Sequence, residues 1–174
     1  MKKAIYLLMM CMGVAFASCE KDEVGGTATE ALAGEWYVTV TAVDDNGSTV
    51  YEDDELFGLG NTFLLTYNTA ANVATEMYVS DLGYFWDYTV RVNCDVSSLT
   101  FSTNGSVANE AYDDCNVTIE DGKILLSAAT TPSGMPADSI VFYVSFSDDP
   151  YPAAYGYDKY KVSGYRYTGF TADD

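Results

Sequence analysis

Residues 34–43, Gly34-Glu35-Trp36-Tyr37-Val38-Thr39-Val40-Thr41-Ala42-Val43, decide the fold class of this chain. Trp36, Val38, Val40 and Ala42 fall on one side of an extended backbone, and Tyr37, Thr39 and Thr41 on the other. A period of two in β-branched and aromatic residues marks a strand with one face in a core. The stretch runs into Asp44-Asp45-Asn46-Gly47, whose Asn-Gly pair favours the positive φ of a tight hairpin. Asn104-Gly105 and Asp121-Gly122 repeat that signal. Further β-rich stretches occupy 62–67, 75–79, 85–92, 99–103, 116–119, 123–128, 139–146 and 159–167, so nine strands are predicted. The acidic stretch 52–55 and the Pro- and Gly-bearing stretches 131–137 and 148–156 read as loops. No stretch has a convincing helical apolar stripe, and short strands joined by hairpins give an antiparallel all-β sandwich or closed barrel.

Composition narrows the function. The 174 residues hold 26 acidic and 8 basic side chains, a formal charge of -18, with no histidine and four cysteines. That length suits one domain and one core. At 48% hydrophobic and 14% aromatic, the chain is too apolar for a disordered acidic tail. So much negative charge, with no basic stripe to offset it, excludes a nucleic-acid partner. Without histidine there is no Ser-His-Asp or Cys-His relay and no His-ligated zinc. No Gly-x-Ser-x-Gly elbow and no Ser-x-x-Lys pair occurs either. Carboxylate pairs could cleave a glycoside, but 26 acids make any one pair uninformative. The acids of 44–54 do not form an EF-hand, because Thr49 stands where that loop needs glycine. No cofactor and no metal site is expected.

The first eighteen residues read as a secretory signal, with Lys2 and Lys3 ahead of an apolar run from Ala4 to Ala17. The run closes on Phe16-Ala17-Ser18-Cys19, which resembles a bacterial lipobox and implies a diacylglyceryl group on Cys19. Glu20-Lys21-Asp22-Glu23 then resembles the surface-export signal of Bacteroidetes lipoproteins, which implies an outer-membrane protein facing the cell exterior. Removal of residues 1–18 leaves 26 acids against 6 bases, a net of -20. Residues 19–32, small and polar around Gly25-Gly26-Thr27, read as a lipidated flexible tether, with the barrel domain over 33–174. Cys94 and Cys115 are then the remaining pair in an oxidising compartment, and a disulfide between them is expected, worth about 3 kcal/mol.

Gly34-Glu35-Trp36 has the Gly-x-Trp form that opens lipocalin-like barrels, where the Trp plugs one end and an Arg from the last strand lies across it. Arg166, within Gly164-Tyr165-Arg166-Tyr167-Thr168-Gly169-Phe170, occupies the place of that Arg. With the lipoprotein signal and the domain length, these motifs resemble the Bacteroidetes lipid-binding putative hydrolases, small surface lipoproteins with a calycin-like barrel. The resemblance covers about residues 33 to 170 and implies a barrel of eight or nine strands. It assigns Trp36 and Arg166 to barrel closure, a structural role. It also implies a small apolar or amphipathic, lipid-like ligand held in the barrel by a monomer. Trp86 and Tyr88, or Phe142 and Val144, are the candidate lining residues, although strand register, which sequence does not fix, decides whether they line a cavity or fill it. Two alternatives stand beside this reading: a carboxylate hydrolase, as the family label suggests, and a non-catalytic surface adhesion or accessory module with a filled barrel. Asp138-Ser139-Ile140 resembles the Bacteroidetes O-glycosylation acceptor and makes Ser139 a candidate modification site. Asn46, Asn104 and Asn116 match N-glycan sequons formally and are read as turn markers.

Overall fold

The alternation of residues 34–43 becomes strand β1 (Gly34–Val43), with Trp36, Val38, Val40 and Ala42 buried. The computed structural model describes residues 25–173. The signal segment, Cys19 and the first part of the tether lie outside the described residues. The other strands are β2 (Thr49–Tyr51), β3 (Thr62–Asn68), β4 (Glu76–Ser80), β5 (Thr89–Asp95), β6 (Thr100–Ser102), β7 (Val107–Ala108), β8 (Asn116–Thr130), β9 (Pro136–Phe146) and β10 (Lys159–Arg166). Two short helices are present, α1 (Asp53–Leu56) and α2 (Tyr151–Tyr155). Among the described residues no helix is long and apolar enough to cross a membrane.

Strands β1, β3, β4, β5, β6, β8, β9 and β10 are neighbours in that order, all antiparallel. The circle closes where β1 pairs with β10, from Trp36 opposite Arg166 to Val43 opposite Lys159. The molecule is therefore a closed eight-stranded antiparallel barrel. Strand β2 extends the sheet beside the far part of β1, and β7 pairs with β8. Strand direction sorts the connections into two ends. Loops 69–75, 96–99 and 131–135 lie at the end marked by Trp36, while 44–48, 52–61, 81–88, 109–115 and 147–158 lie at the other, the mouth.

Inward side chains from all eight barrel strands, among them Val38, Met77, Val92, Phe101, Ile119, Ile140, Phe142, Val144 and Val162, pack into one continuous core. The interior is filled by side chains, as eight strands readily permit.

Several sequence expectations change. Only Asn46-Gly47 makes a hairpin turn, with Gly47 at φ 80° between β1 and β2. Asp121-Gly122 lies inside the continuous strand β8, which merges two predicted strands. The register shifts there, so the pair is a β-bulge. Asp121 takes a positive φ of 51°, and a Cβ on Gly122 would enter the Phe101 ring. Asn104-Gly105 interrupts a single strand line, since β6 and β7 both pair with β8. The acidic loop contains α1, closed by a capping box between Glu52 and Glu55, and the stretch 148–156 contains α2, ended by Gly156 in the left-handed region. Among the described residues ten strands result in place of nine. The last residues of the stretch expected as a tether are also structured. Residues 28–32 form a turn packed on the barrel, with Thr29 and Leu32 fully buried.

Candidate functional site

The Trp36 end is closed by contacts with fixed partners. Trp36 is fully buried, and its indole Nε1 donates to Thr66 Oγ1 at 2.9 Å. That hydroxyl in turn donates to the Leu32 carbonyl at 2.6 Å, tying the N-terminal turn over the plug. The Arg166 guanidinium carbon lies 4.3 Å from the Trp36 ring centroid, a cation–π contact. Its Nη1 donates to the Ala33 carbonyl at 2.7 Å, and its Nε pairs with Asp138 at 3.2 Å. A Cβ at Gly34 would meet this guanidinium, so glycine leaves it room to lie across the indole. The Gly-x-Trp and Arg motifs meet at this end of the barrel.

The mouth is built from rings. After β4, the Asp81 carboxylate accepts backbone N–H groups of Gly83 at 3.0 Å, Phe85 at 3.0 Å, Trp86 at 2.8 Å, Asp87 at 3.2 Å and Tyr88 at 2.8 Å. This curls residues 81–88 into a loop, with Leu82 and Asp87 at positive φ, and delays β5 to Thr89. The strand predicted over 85–92 therefore loses its aromatic half and runs instead from Thr89 to Asp95. The curl turns Phe85 and Trp86 over the barrel. Phe85 packs edge-on against Tyr160 at 4.9 Å and Phe57 at 5.1 Å. Trp86 stacks on Phe146 at 4.9 Å, nearly parallel, and meets Tyr151 of α2 edge-on at 6.2 Å.

Carboxylates surround these rings. Asp148 accepts Trp86 Nε1 at 3.2 Å and the Tyr112 hydroxyl at 2.7 Å, clasping two loops at the rim. Asp149 accepts the Tyr160 hydroxyl at 2.5 Å, and Tyr160 shares a second 2.5 Å bond with Tyr157. Burial first, then the bond to Asp149, drives the Tyr160 phenol far above its usual range, and burial pushes Tyr157 up to about 12. Both stay protonated as donors. Burial alone would raise the Asp148 carboxyl, yet hydrogen bonds from Tyr112, Cys115 and Trp86 prevail and hold it below the usual carboxylate range. Asp95 and Asp173 are also shifted downward, so these three carboxyls act as acceptors and not as proton donors. Among the described residues no group of three Cys, Asp or Glu side chains gathers to hold a metal ion.

The expected disulfide is absent. Cys94 and Cys115 are both free thiols. Cys94 pairs across to Phe101, which sits opposite Gly122 of β8. Cys115 precedes Gly122 by seven residues, about 20 Å along an extended strand, well beyond the reach of a disulfide. Burial raises both thiols, with Asp95 adding at Cys94 and Asp148 at Cys115, which leaves neither as an activated nucleophile.

Of the four candidate lining residues, Tyr88, Phe142 and Val144 are buried in the filled core, and Trp86 caps it at the mouth. Hollows of about 370 Å³ beside Phe101 and Gly122, 610 Å³ beside Ala74 and Val96, and 420 Å³ beside Tyr112 and Cys115 open on the outer surface. None of the four residues lines any of these three. Sequence reading missed Phe57, Phe85, Phe146, Tyr151, Tyr160, Asp148 and Asp149. The available signal was the crowding of aromatic residues beside carboxylates in 81–88 and 148–160. Ser139 lies on β9 with its hydroxyl donating to the Gly164 carbonyl at 2.8 Å.

A closed eight-stranded barrel, plugged at one end by a Trp–Arg pair and capped at the other by aromatic loops, is a lipocalin-like protein. The model of the family described as lipid-binding putative hydrolase matches residues 21–171, and the chain belongs to that family. No curated protein matches the chain.

Proposed function

We propose that the protein is a lipid-anchored outer-membrane lipoprotein, displayed on the cell exterior, whose barrel mouth takes up one small apolar or amphipathic, lipid-like ligand. The aromatic cap carries this reading. Because the core is filled, a ligand has to take the place of side chains, and Phe85 and Trp86 are half-buried and carried on a loop, not on a barrel strand. Swinging them outward would leave an apolar socket floored by Phe146 and Tyr160 and walled by Phe57 and Tyr151. Asp148, Asp149 and the phenols at the rim would meet the polar head of the ligand. Ionised carboxylates there disfavour fatty-acid and other anionic heads and favour neutral or amine-bearing ones. This reading requires no bond cleavage.

Native mass spectrometry with lipid extraction, on the intact chain purified from bacterial membranes, tests it. One apolar molecule per chain is expected, with occupancy reduced in Trp86→Ala. The filled core favours a second reading, a surface interaction module, and a clean apo mass after exposure to a lipid panel would select it. For the anchor, Cys19→Ser is expected to move the chain to the soluble periplasmic fraction; continued sedimentation with outer membranes would refute the anchor.

A further inference from the structure

The two ends of the barrel carry very different charge. At the mouth, loop 44–48 has two carboxylates, 52–61 four, 81–88 two, 109–115 three and 147–158 three, with no Lys or Arg among them. At the Trp36 end, loops 69–75, 96–99 and 131–135 have no charged residue, nor does the outer part of β8 over 126–130. The N-terminal turn adds Glu30, the C-terminal tail Asp173 and Asp174, and the strand ends Glu35, Glu76, Asp95 and Asp138, of which Glu76 and Asp138 are paired with Arg91 and Arg166. The Asp173 carboxylate is already engaged, accepting the Ser133 N–H at 2.9 Å and the Thr168 hydroxyl at 2.6 Å.

The most strongly exposed apolar side chains lie at the end with fewer carboxylates. Phe170 at 67%, Leu126 at 65% and Met135 at 57% are the most exposed large apolar side chains among the described residues, and all three belong to the Trp36 end. The bond from Ser133 to Asp173 fastens the tail bearing Phe170 to the loop bearing Met135, so these residues share one platform. The mouth exposes Leu82, Tyr84, Tyr155, Tyr151, Leu59 and Val50 as well, at 36–52%, but these are set beside its carboxylate-bearing loops.

The chain preceding the described residues leaves from this same end. The Ala28 N–H donates to Asn72 Oδ1 at 2.8 Å, in loop 69–75, and exposed Val73 stands beside it. Eight residues lie between Cys19 and Ala28, nine steps along the chain and a span of at most about 30 Å when fully extended. An acyl chain on Cys19 would hold the Trp36 end beside the bilayer. Contact with lipid would then be intramolecular, so a few exposed apolar side chains would suffice where they could not recruit a free protein.

We infer that the Trp36 end docks on the lipid bilayer, with Phe170, Leu126 and Met135 entering the headgroup region and the carboxylate-rich mouth facing away from it. The inference rests on the proposed anchor at Cys19. It orients the barrel so that ligand exchange takes place on the side remote from the membrane, and carboxylate repulsion from anionic lipid favours the same orientation.

Hydroxyl-radical footprinting tests this on the full chain, purified from membranes and reconstituted into phosphatidylethanolamine–phosphatidylglycerol vesicles, with the soluble Cys19→Ser chain as reference. Oxidation of Met135 and Phe170 is expected to fall about threefold or more in vesicles, while Tyr84 keeps its rate. Glu at both exposed positions, Leu126→Glu with Phe170→Glu, should leave the barrel folded and return Met135 to its free rate. An acylated chain whose Met135 oxidises as in the reference, or whose Tyr84 is protected in its place, overturns the docking and leaves the anchor standing. A mass showing no lipid on Cys19 overturns both.

Discussion

The two ends of this barrel use the same kinds of group to opposite effect. Each has a tryptophan whose indole N–H donates to an oxygen and whose ring meets a neighbour face-on. Trp36 sits on a strand paired on both sides, its acceptor is a buried threonine, and its partner Arg166 is held by a backbone carbonyl. Trp86 sits on a loop shaped by one carboxylate, its acceptor Asp148 is solvent-exposed, and its stacking partner Phe146 ends a strand. A plug held by paired backbone opens only with the fold, whereas one held by side chains at a rim can open alone. The first is structural closure, and the second is where the proposed ligand would enter a filled barrel.

Substitutions should separate the ends. Trp36→Ala is expected to cost about 3–5 kcal/mol in urea unfolding, because it empties a fully buried site and strands Arg166. A loss below about 1 kcal/mol, the smallest effect of a core truncation, would remove the distinction. Arg166→Met should cost about 1–3 kcal/mol, since it frees the Asp138 carboxylate and the Ala33 carbonyl while leaving the mouth unchanged. Trp86→Ala should weaken uptake of an amine-headed probe such as dodecylamine about tenfold, equivalent to about 1.4 kcal/mol, with a smaller stability loss than at Trp36. An unchanged affinity measured by calorimetry would place the ligand elsewhere.

The smallest effect is on pH. A carboxyl held below its usual range stabilises the folded clasp above the unfolded pKa, and that contribution disappears as pH falls through the lowered folded value. The Asp148 clasp should therefore be intact at neutral pH and loosen below about pH 4, exposing Trp86 to quenchers before the barrel melts. Asp148→Asn should flatten this response. A quenching profile identical in the two proteins would take Asp148 out of the latch.

The closed end was legible in the sequence and the mouth was not, for a physical reason. Gly34, Trp36 and Arg166 lie in regular strands, where a period of two places each side chain directly. Phe85, Trp86 and Tyr88 have the alternation of a strand, but five N–H bonds to the Asp81 carboxylate override it, and no periodicity reports a carboxylate that captures a backbone. The cysteines show a related limit. Counting thiols gives a pair, but β8 sets Cys115 seven residues beyond the point that faces the neighbour of Cys94. Asp121-Gly122 reads as a hairpin turn by local preference, and becomes a bulge because pairing of β8 with β9 continues on both sides of it.

Hydrogen–deuterium exchange on the intact chain, with and without saturating dodecylamine, tests the central claim most directly. The account predicts altered exchange in residues 81–88 and 147–158 with no change in 28–36 and 164–168. Altered exchange at the Trp36 end, or none at the mouth under conditions where mass spectrometry shows the probe bound, would contradict it.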